Sequence, residues 1–486
     1  MTEIVSTINA LKQPPVFKLA YLTTICERFG FYVLTFFLVL FAKDQYGMTD
    51  ASAFALFGVF TALAFLTPAL GGYLGDNVFG IRRCMIYGLF LEGTGLILLV
   101  IPSFTVFSIA LACVAIGTGF FKTAPTDLLA HSYHENDPRI DSGFTLYYMA
   151  INIGSLLASV ANGVLQKYFG WHVAFLAGGL ILYAGLIAYF FLRKTAIHLD
   201  TRAGAYKLHA KKIILGICGV ILCGAFFIFL IIHTNIANTF FGITTTLTFS
   251  YFLYEIIKSP PNEKLKIIAC LYLVLIGLAC AVLYFQLFTS IDLFIERSVA
   301  RTILGITIPT VYYMGLNPVF VVLLGPILAG IYNFLERRRK DLSVTAKLTW
   351  GLLATALCFF CVAIGGQFFP TSAWQVSSLW VIAMFFLFTI GDLMNSALGV
   401  AMVTHIAPRR LYGVMMGTWF LVGNSLAAAL SGIFAGLADV PVGMTDPHAI
   451  LQIYTTAFWK LGIAGTIVSV LIFTLNPLVK KIVHLK

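Results

Sequence analysis

Five charged residues that lipid should reject stand at membrane depth within long apolar runs, and these five positions set the chemistry. Glu27 and Arg28 are neighbours in the first run, Glu92 lies in the third, Lys122 in the fourth and Asp392 in the twelfth. A charged group at membrane depth costs about 2.5–3.5 kcal/mol on insertion scales, so each needs a reason to be there. Arg28 follows Phe17 by 11 residues, roughly 16 Å at about 1.5 Å per helical residue, which is close to the bilayer midplane. Two cations and one nearby anion leave a positive charge over. Lipid does not tolerate that charge, whereas a water-filled cavity with an anionic ligand does. The bland alternative is a structural pair, with Glu27 neutralising Arg28 or Lys122. Glu92 has no obvious partner in the sequence.

The surrounding elements must be membrane helices. The 486 residues are 60% hydrophobic and only 10% charged, with a mean hydropathy of +0.94. A soluble domain carries about 25% charged residues, so a soluble enzyme, a disordered chain and a nucleic-acid-binding domain are excluded. Apolar runs at 17–42, 51–74, 83–102, 104–128, 143–166, 171–192, 212–233, 237–257, 266–289, 303–334, 345–368, 376–402, 411–437 and 451–476 predict fourteen spans. With the N-terminus inside, only Lys43, Lys167, Arg297, Arg301 and Lys460 of the 31 Lys and Arg fall outside, and only Arg28 and Lys122 fall in the hydrocarbon. That bias places both termini in the cytoplasm. The expected class is an all-α integral membrane protein. Its plan is a cytoplasmic tail (1–16), a six-helix bundle (17–192), a basic linker with two extra helices (193–265), a second six-helix bundle (266–476) and a cytoplasmic tail (477–486).

The nine cysteines sit in or beside apolar runs and read as inert packing. His131 and His134, with Glu135 and Asp137, are the only place to look for an enzyme site, and no further ligand follows at metal spacing. No metal, cofactor or catalytic residue is expected.

Two six-helix halves are the plan of major facilitator transporters. Asp76, Arg82 and Arg83, around the turn after the second run, resemble that superfamily's loop signature, a charge clasp between neighbouring helices. A narrower resemblance follows. Glu27-Arg28-Phe29-Gly30-Phe31-Tyr32 resembles the ExxERFxYY signature of the proton-dependent oligopeptide transporter (POT/PTR) family. Gly117-Thr-Gly119-Phe-Phe-Lys122 resembles its fourth-helix lysine motif, and the stretch from Asp141 to Ser155, with Tyr147, Tyr148 and Asn152, its fifth-helix signature. Asn317-Pro318, Gly391-Asp392 and the stretch Gly413–Leu421 with Trp419 complete the match, which covers nearly the whole chain. The fourteen spans match the bacterial branch.

The resemblance implies import of di- and tripeptides with protons across a bacterial inner membrane, by a chain expected to act as a monomer and to bind no nucleic acid. The chain departs from the family's pattern at several positions. Thr24 stands where the first Glu of the signature belongs, Phe31 replaces the first Tyr of the pair, and Phe65 replaces a second-helix pocket Tyr. Thr35 and Phe285, beside Gln286, stand where some members carry a gating ion pair, and Asp392 is shorter than the usual Glu.

A peptide is a zwitterion rich in carbonyls. Arg28 and Lys122 are therefore expected to take its carboxylate, Asp392 its ammonium, and Asn152 and Asn317 its backbone. Tyr32, Phe65, Tyr148, Phe285, Gln286 and Trp419 are expected to line the pocket. Glu27 and Asp392 are the expected proton carriers, with Glu27 alone serving the first half. Two other readings remain: a related carrier of another small amphoteric or anionic solute with altered or absent coupling, and a membrane sensor that binds peptide without moving it.

Overall fold

The computed structural model describes residues 13–134, 137, 139–205, 210–303, 305–338, 344–396 and 406–483. Most of the expected N-terminal tail, Glu135, the end of the twelfth expected span (397–402), Arg339, Lys340 and the last three residues of the C-terminal tail lie outside the described residues.

Lipid offers no partner for backbone N–H and C=O groups, so runs this apolar must close their own hydrogen bonds as helices. They do so in α1 (Val16–Tyr46), α2 (Asp50–Leu74), α3 (Ile81–Leu98), α4 (Phe104–His131), α5 (Ile140–Phe169), α6 (Trp171–Leu192), α7 (Ala210–Ile232), α8 (Thr234–Lys258), α9 (Pro261–Phe285), α10 (Leu316–Arg337), α11 (Val344–Phe368), α12 (Ser378–Ser396), α13 (Arg409–Ala438) and α14 (Pro447–Val483). Among the described residues, thirteen helices are long and apolar enough to cross a membrane. The remaining expected run is α3, with 18 residues that include Arg82, Arg83 and Glu92.

One boundary needs correction. The expected tenth span, 303–334, does not begin as a helix. Thr302–Ile303 pairs antiparallel with Ile306–Thr307 around Gly305 (φ 80°), and helix starts only at Thr310. Val299–Ala300 pairs parallel with Val376–Ser377. Apolarity alone did not separate this short β-branched hairpin from helix.

By internal contacts the chain forms two compact units, Met1–Leu34 with Leu66–Ile232, and Thr35–Phe65 with His233–Lys486. In unit 1, α3 packs on α4 and α6. The α3–α4 crossing is built from glycines. A Cβ on Gly88 would stand 2.9 Å from the Gly117 carbonyl oxygen, and one on Gly117 2.7 Å from the Glu92 nitrogen. Only small residues permit backbones to approach so closely in lipid. After α2 the chain turns at Gly80, whose φ of 87° suits glycine.

In that turn Arg82 pairs not with Asp76 but with Asp200 of the linker, at 4.0 Å, and its backbone N–H donates to the same carboxylate at 3.4 Å. Arg83 caps the Phe79 carbonyl at 2.9 Å, and Asp76 is exposed. The sequence placed the clasp within one loop; the linker supplies its anion.

In unit 2, Arg410 at the start of α13 reaches Glu255 (2.5 Å), Ser259 Oγ (2.6 Å) and Glu263 (3.0 Å), and so ties α13 to α8 and α9. The hydroxyls of Thr244 and Thr246 on α8 bond back to carbonyls of their own helix, each at 2.9 Å. Asp50, buried at the start of α2, collects a cluster. It accepts from Arg297 Nη1 at 2.5 Å and Nη2 at 2.9 Å, from Lys43, and from the Val440 N–H at 3.3 Å. Arg297 also donates to the Tyr454 hydroxyl at 3.1 Å.

Removing one partner of such a buried pair costs about 3–5 kcal/mol. Lys43 and the Val440 N–H remain after Arg297→Ala, so destabilisation at the low end of that range is expected. Thermal unfolding in detergent micelles checks it; a wild-type transition temperature for Arg297→Ala would refute a structural role for the cluster.

Candidate functional site

Glu27, Arg28, Glu92 and Lys122 converge inside unit 1. Arg28 donates from Nε and Nη2 to the two carboxylate oxygens of its neighbour Glu27, a charge-assisted, two-point pairing. The same guanidinium lies 4.9 Å from the centre of the Phe31 ring, a cation–π contact. Tyr32 stands against Phe31 edge-on at 5.8 Å. A Cβ on Gly154 would come 2.7 Å from Arg28 Cβ, so α5 lies directly against this residue. Lys122 is half-buried on α4, with Glu27, Glu92 and Arg28 as its electrostatic neighbours.

Glu92 is the member that sequence reasoning left without a partner. It is fully buried, and it shares the electrostatic surroundings of Glu27 and Arg28. The α3–α4 crossing puts it there: a Cβ on Gly117 would meet Glu92 Cγ at 2.6 Å. Thr118 and Glu27 stand beside its carboxyl group, yet neither carboxylate oxygen makes a hydrogen bond of proper geometry. The expected count of two cations and one anion therefore changes to two cations and two carboxyls. A helix neighbour cannot be read from spacing along one chain, but the Gly117-Thr-Gly119 segment was a signal of close packing.

Thr24 uses its hydroxyl as a donor to the Tyr147 hydroxyl at 3.3 Å. Asn152, nearly buried, donates to the Tyr148 carbonyl one turn back at 3.1 Å, and Tyr148 is itself exposed.

Unit 2 brings Asp392 and Asn317 together. The Asn317 amide donates to Asp392 Oδ2 at 3.4 Å and to Thr389 Oγ1 at 3.3 Å. Phe65 and Phe285 meet edge to face at 5.6 Å. Trp419 opens a wide-turn segment of α13, Trp419–Leu426, and lies over Gly277 of α9, where a Cβ would stand 2.7 Å from its ring.

Gln286 is not presented to a ligand. Its Nε2 donates to the Ser431 carbonyl at 2.9 Å, its Oε1 accepts from Ser290 Oγ at 2.7 Å, and it is fully buried. Its role is to hold α9 to α13.

Among the described residues, no three potential metal ligands converge. His131 Nδ1 donates to the Asp127 carbonyl at 2.7 Å and so finishes α4. Outside the helices, the Arg139 guanidinium and backbone N–H hold the Asp137 carboxyl down at about 2, a local turn lock.

These clusters occur in a chain with clear relatives. The family model PTR2, described as POT family, matches residues 82–450. A dipeptide and tripeptide permease B of Aliivibrio fischeri (strain MJ11) is 34% identical over 478 residues, 98% of this chain and 96% of the relative. A dipeptide and tripeptide permease A of Escherichia coli (strain K12) is 33% identical, covering 98% of this chain and 94% of the relative. Among solved structures, tetrameric PepTSo2 superposes with a TM-score of 0.86 at 27% identity, over 96% of this chain and 99% of that one. A structure described as giving insight into substrate recognition in proton dependent oligopeptide transporters superposes with a TM-score of 0.83 at 28% identity, over 96% and 99% of the two chains. With the major facilitator fold, the buried ionisable clusters and these near full-length matches together, the chain belongs to the POT family.

Proposed function

We propose that this protein imports di- and tripeptides together with protons across a bacterial inner membrane by alternating access. The observation that carries the reading is the gathering of Arg28, Lys122, Glu27 and Glu92 in unit 1, set beside relatives named as dipeptide and tripeptide permeases. Arg28 and Lys122 take the peptide carboxylate, and Asp392 its ammonium. Asn152 and Asn317 pair with its backbone, while Tyr32, Phe65, Tyr148, Phe285 and Trp419 offer tolerant walls. Alternating access works between the two six-helix bundles, 17–192 and 266–476, with both termini cytoplasmic as the basic residues suggest. One chain supplies every group, so a single copy suffices for transport.

Proton coupling belongs to two carboxyls, the buried Glu27 in the first half and the half-buried Asp392 in the second. When a peptide carboxylate occupies the cations, Glu27 loses its partners and takes up a proton, which links the two ligands.

The test is uptake of labelled peptides of one to four residues into proteoliposomes, with and without an inward proton gradient. Two- and three-residue peptides should accumulate only with the gradient. Glu27→Gln should abolish accumulation and still exchange peptide for peptide, because exchange needs no proton release. If Glu27→Gln concentrates peptide as the wild type does, coupling does not run through Glu27. A gradient-independent wild type would favour a carrier with altered coupling, for which Thr24 is the motive.

A further inference from the structure

We infer that Glu92 is the second member of the proton site, sharing one proton with Glu27 and thereby setting the charge that the cluster offers to a substrate carboxylate. This rests on the peptide-symport reading and names a residue outside the family's signature that the sequence left unassigned.

The geometry separates the two carboxyls. Both Glu27 oxygens accept from Arg28, an arrangement that suits a carboxylate. Both Glu92 oxygens are buried without a properly formed hydrogen bond. A buried carboxylate lacking hydrogen bonds costs far more than the neutral acid in the same place. Two carboxyls that close cannot both ionise at ordinary cost, so one proton belongs to the pair. In the arrangement seen, Glu92 holds it.

The other groups facing Glu92 do not remove the need for this proton. From α1 come Glu27 and Arg28, the latter with Tyr32 beside it, and from α4 Thr118 and Lys122. From α6 the nearby titratable group is Tyr183, whose hydroxyl lies 2.9 Å from Thr94 Oγ1; Tyr189 lies further along that helix. Asp76 and Asp200 reach α3 only near Cys84, eight residues back, or roughly 12 Å along the helix.

Charge then couples the two ligands. With one proton on the Glu27–Glu92 pair, Arg28 and Lys122 leave one positive charge, which a peptide carboxylate neutralises; once that carboxylate engages Arg28, the shared proton passes to Glu27. With both carboxyls ionised the site is neutral, and a bound carboxylate would make it negative in a medium that tolerates net charge poorly. Loss of the proton to water on the other side expels the carboxylate by the same arithmetic. This explains how a chain with Thr24 in the first signature position can keep two carboxyls in its first half. It also gives Glu27→Gln a mechanism, since freed Arg28 then pairs with Glu92 and holds it ionised.

The experiment is infrared difference spectroscopy of the purified protein in lipid nanodiscs, which reads the C=O stretch of protonated carboxyls directly. The wild type at neutral pH should show a buried protonated component that Glu92→Gln removes and Glu92→Asp restores at a shifted frequency. Identical protonated-carboxyl bands in wild type and Glu92→Gln overturn the inference. Gln keeps the volume of Glu, and the Asp variant guards against a folding artefact. In a second arm, alanyl-alanine binding should weaken as pH is raised above neutral and the empty site loses its proton, by up to about tenfold per unit for one linked proton. Glu92→Gln should flatten that slope, and an unchanged slope also overturns the inference. If the wild type binds no dipeptide at all, the peptide reading fails, while the infrared arm still decides where the proton sits.

Discussion

Lys122→Gln should reduce dipeptide uptake by about 100-fold in kcat/KM while the protein still reaches the membrane. The wild-type cluster holds two cations, Arg28 and Lys122, against the carboxyls of Glu27 and Glu92. Without Lys122 one cation remains, and Glu27 already claims it at both oxygens. A peptide carboxylate then meets a site with one positive charge fewer. Losing one partner of a buried charge pair costs about 2–5 kcal/mol, and about 2.7 kcal/mol is a hundredfold. Gln retains a polar group at similar length, so packing is a poor explanation for such a loss. A dipeptide amide, which lacks the carboxylate, provides the control: its weak transport should change little on substitution. Unchanged uptake of the free dipeptide at saturating and subsaturating concentrations would remove Lys122 from the site.

The second large effect concerns the other end of the substrate. An N-acetylated dipeptide should compete for uptake roughly 30-fold less well than the free dipeptide. That ratio corresponds to ~2 kcal/mol, within the range for a hydrogen bond to a charged group. Asp392 is the carboxylate placed beside Asn317 and Thr389 in unit 2, and acetylation deletes the cation it would meet. The sharper form is a double-mutant cycle. Asp392→Asn should weaken the free dipeptide and leave the acetylated one almost unchanged, so that the two losses are not additive. Equal inhibition by acetylated and free dipeptide in the wild type would assign Asp392 another role.

Several results came from residue type and order alone. Long apolar runs with Gly, Pro and charge between them predicted the helices, because hydrocarbon leaves the backbone no other way to satisfy its hydrogen bonds. Glu27, Arg28, Lys122 and Asp392 announced themselves because charge within such runs is expensive. The signature around Glu27–Tyr32 and the fifth-helix stretch marked the family, since both are contiguous in the chain. Lateral neighbours were not legible. Glu92 joins the cluster only because Gly88 and Gly117 let α3 and α4 cross in backbone contact. Asp200 replaces Asp76 opposite Arg82 because the linker folds back onto the turn at Gly80. Gln286 turns inward because the Ser431 carbonyl and the Ser290 hydroxyl occupy both ends of its amide. The hairpin at 302–307 interrupts what hydropathy reads as one span. The sequence therefore determined the helices, the buried charges and the family, because those follow from local composition and contiguous motifs. The tertiary structure decided which buried groups share an environment, because that depends on which helix faces cross and how closely their small residues let them approach.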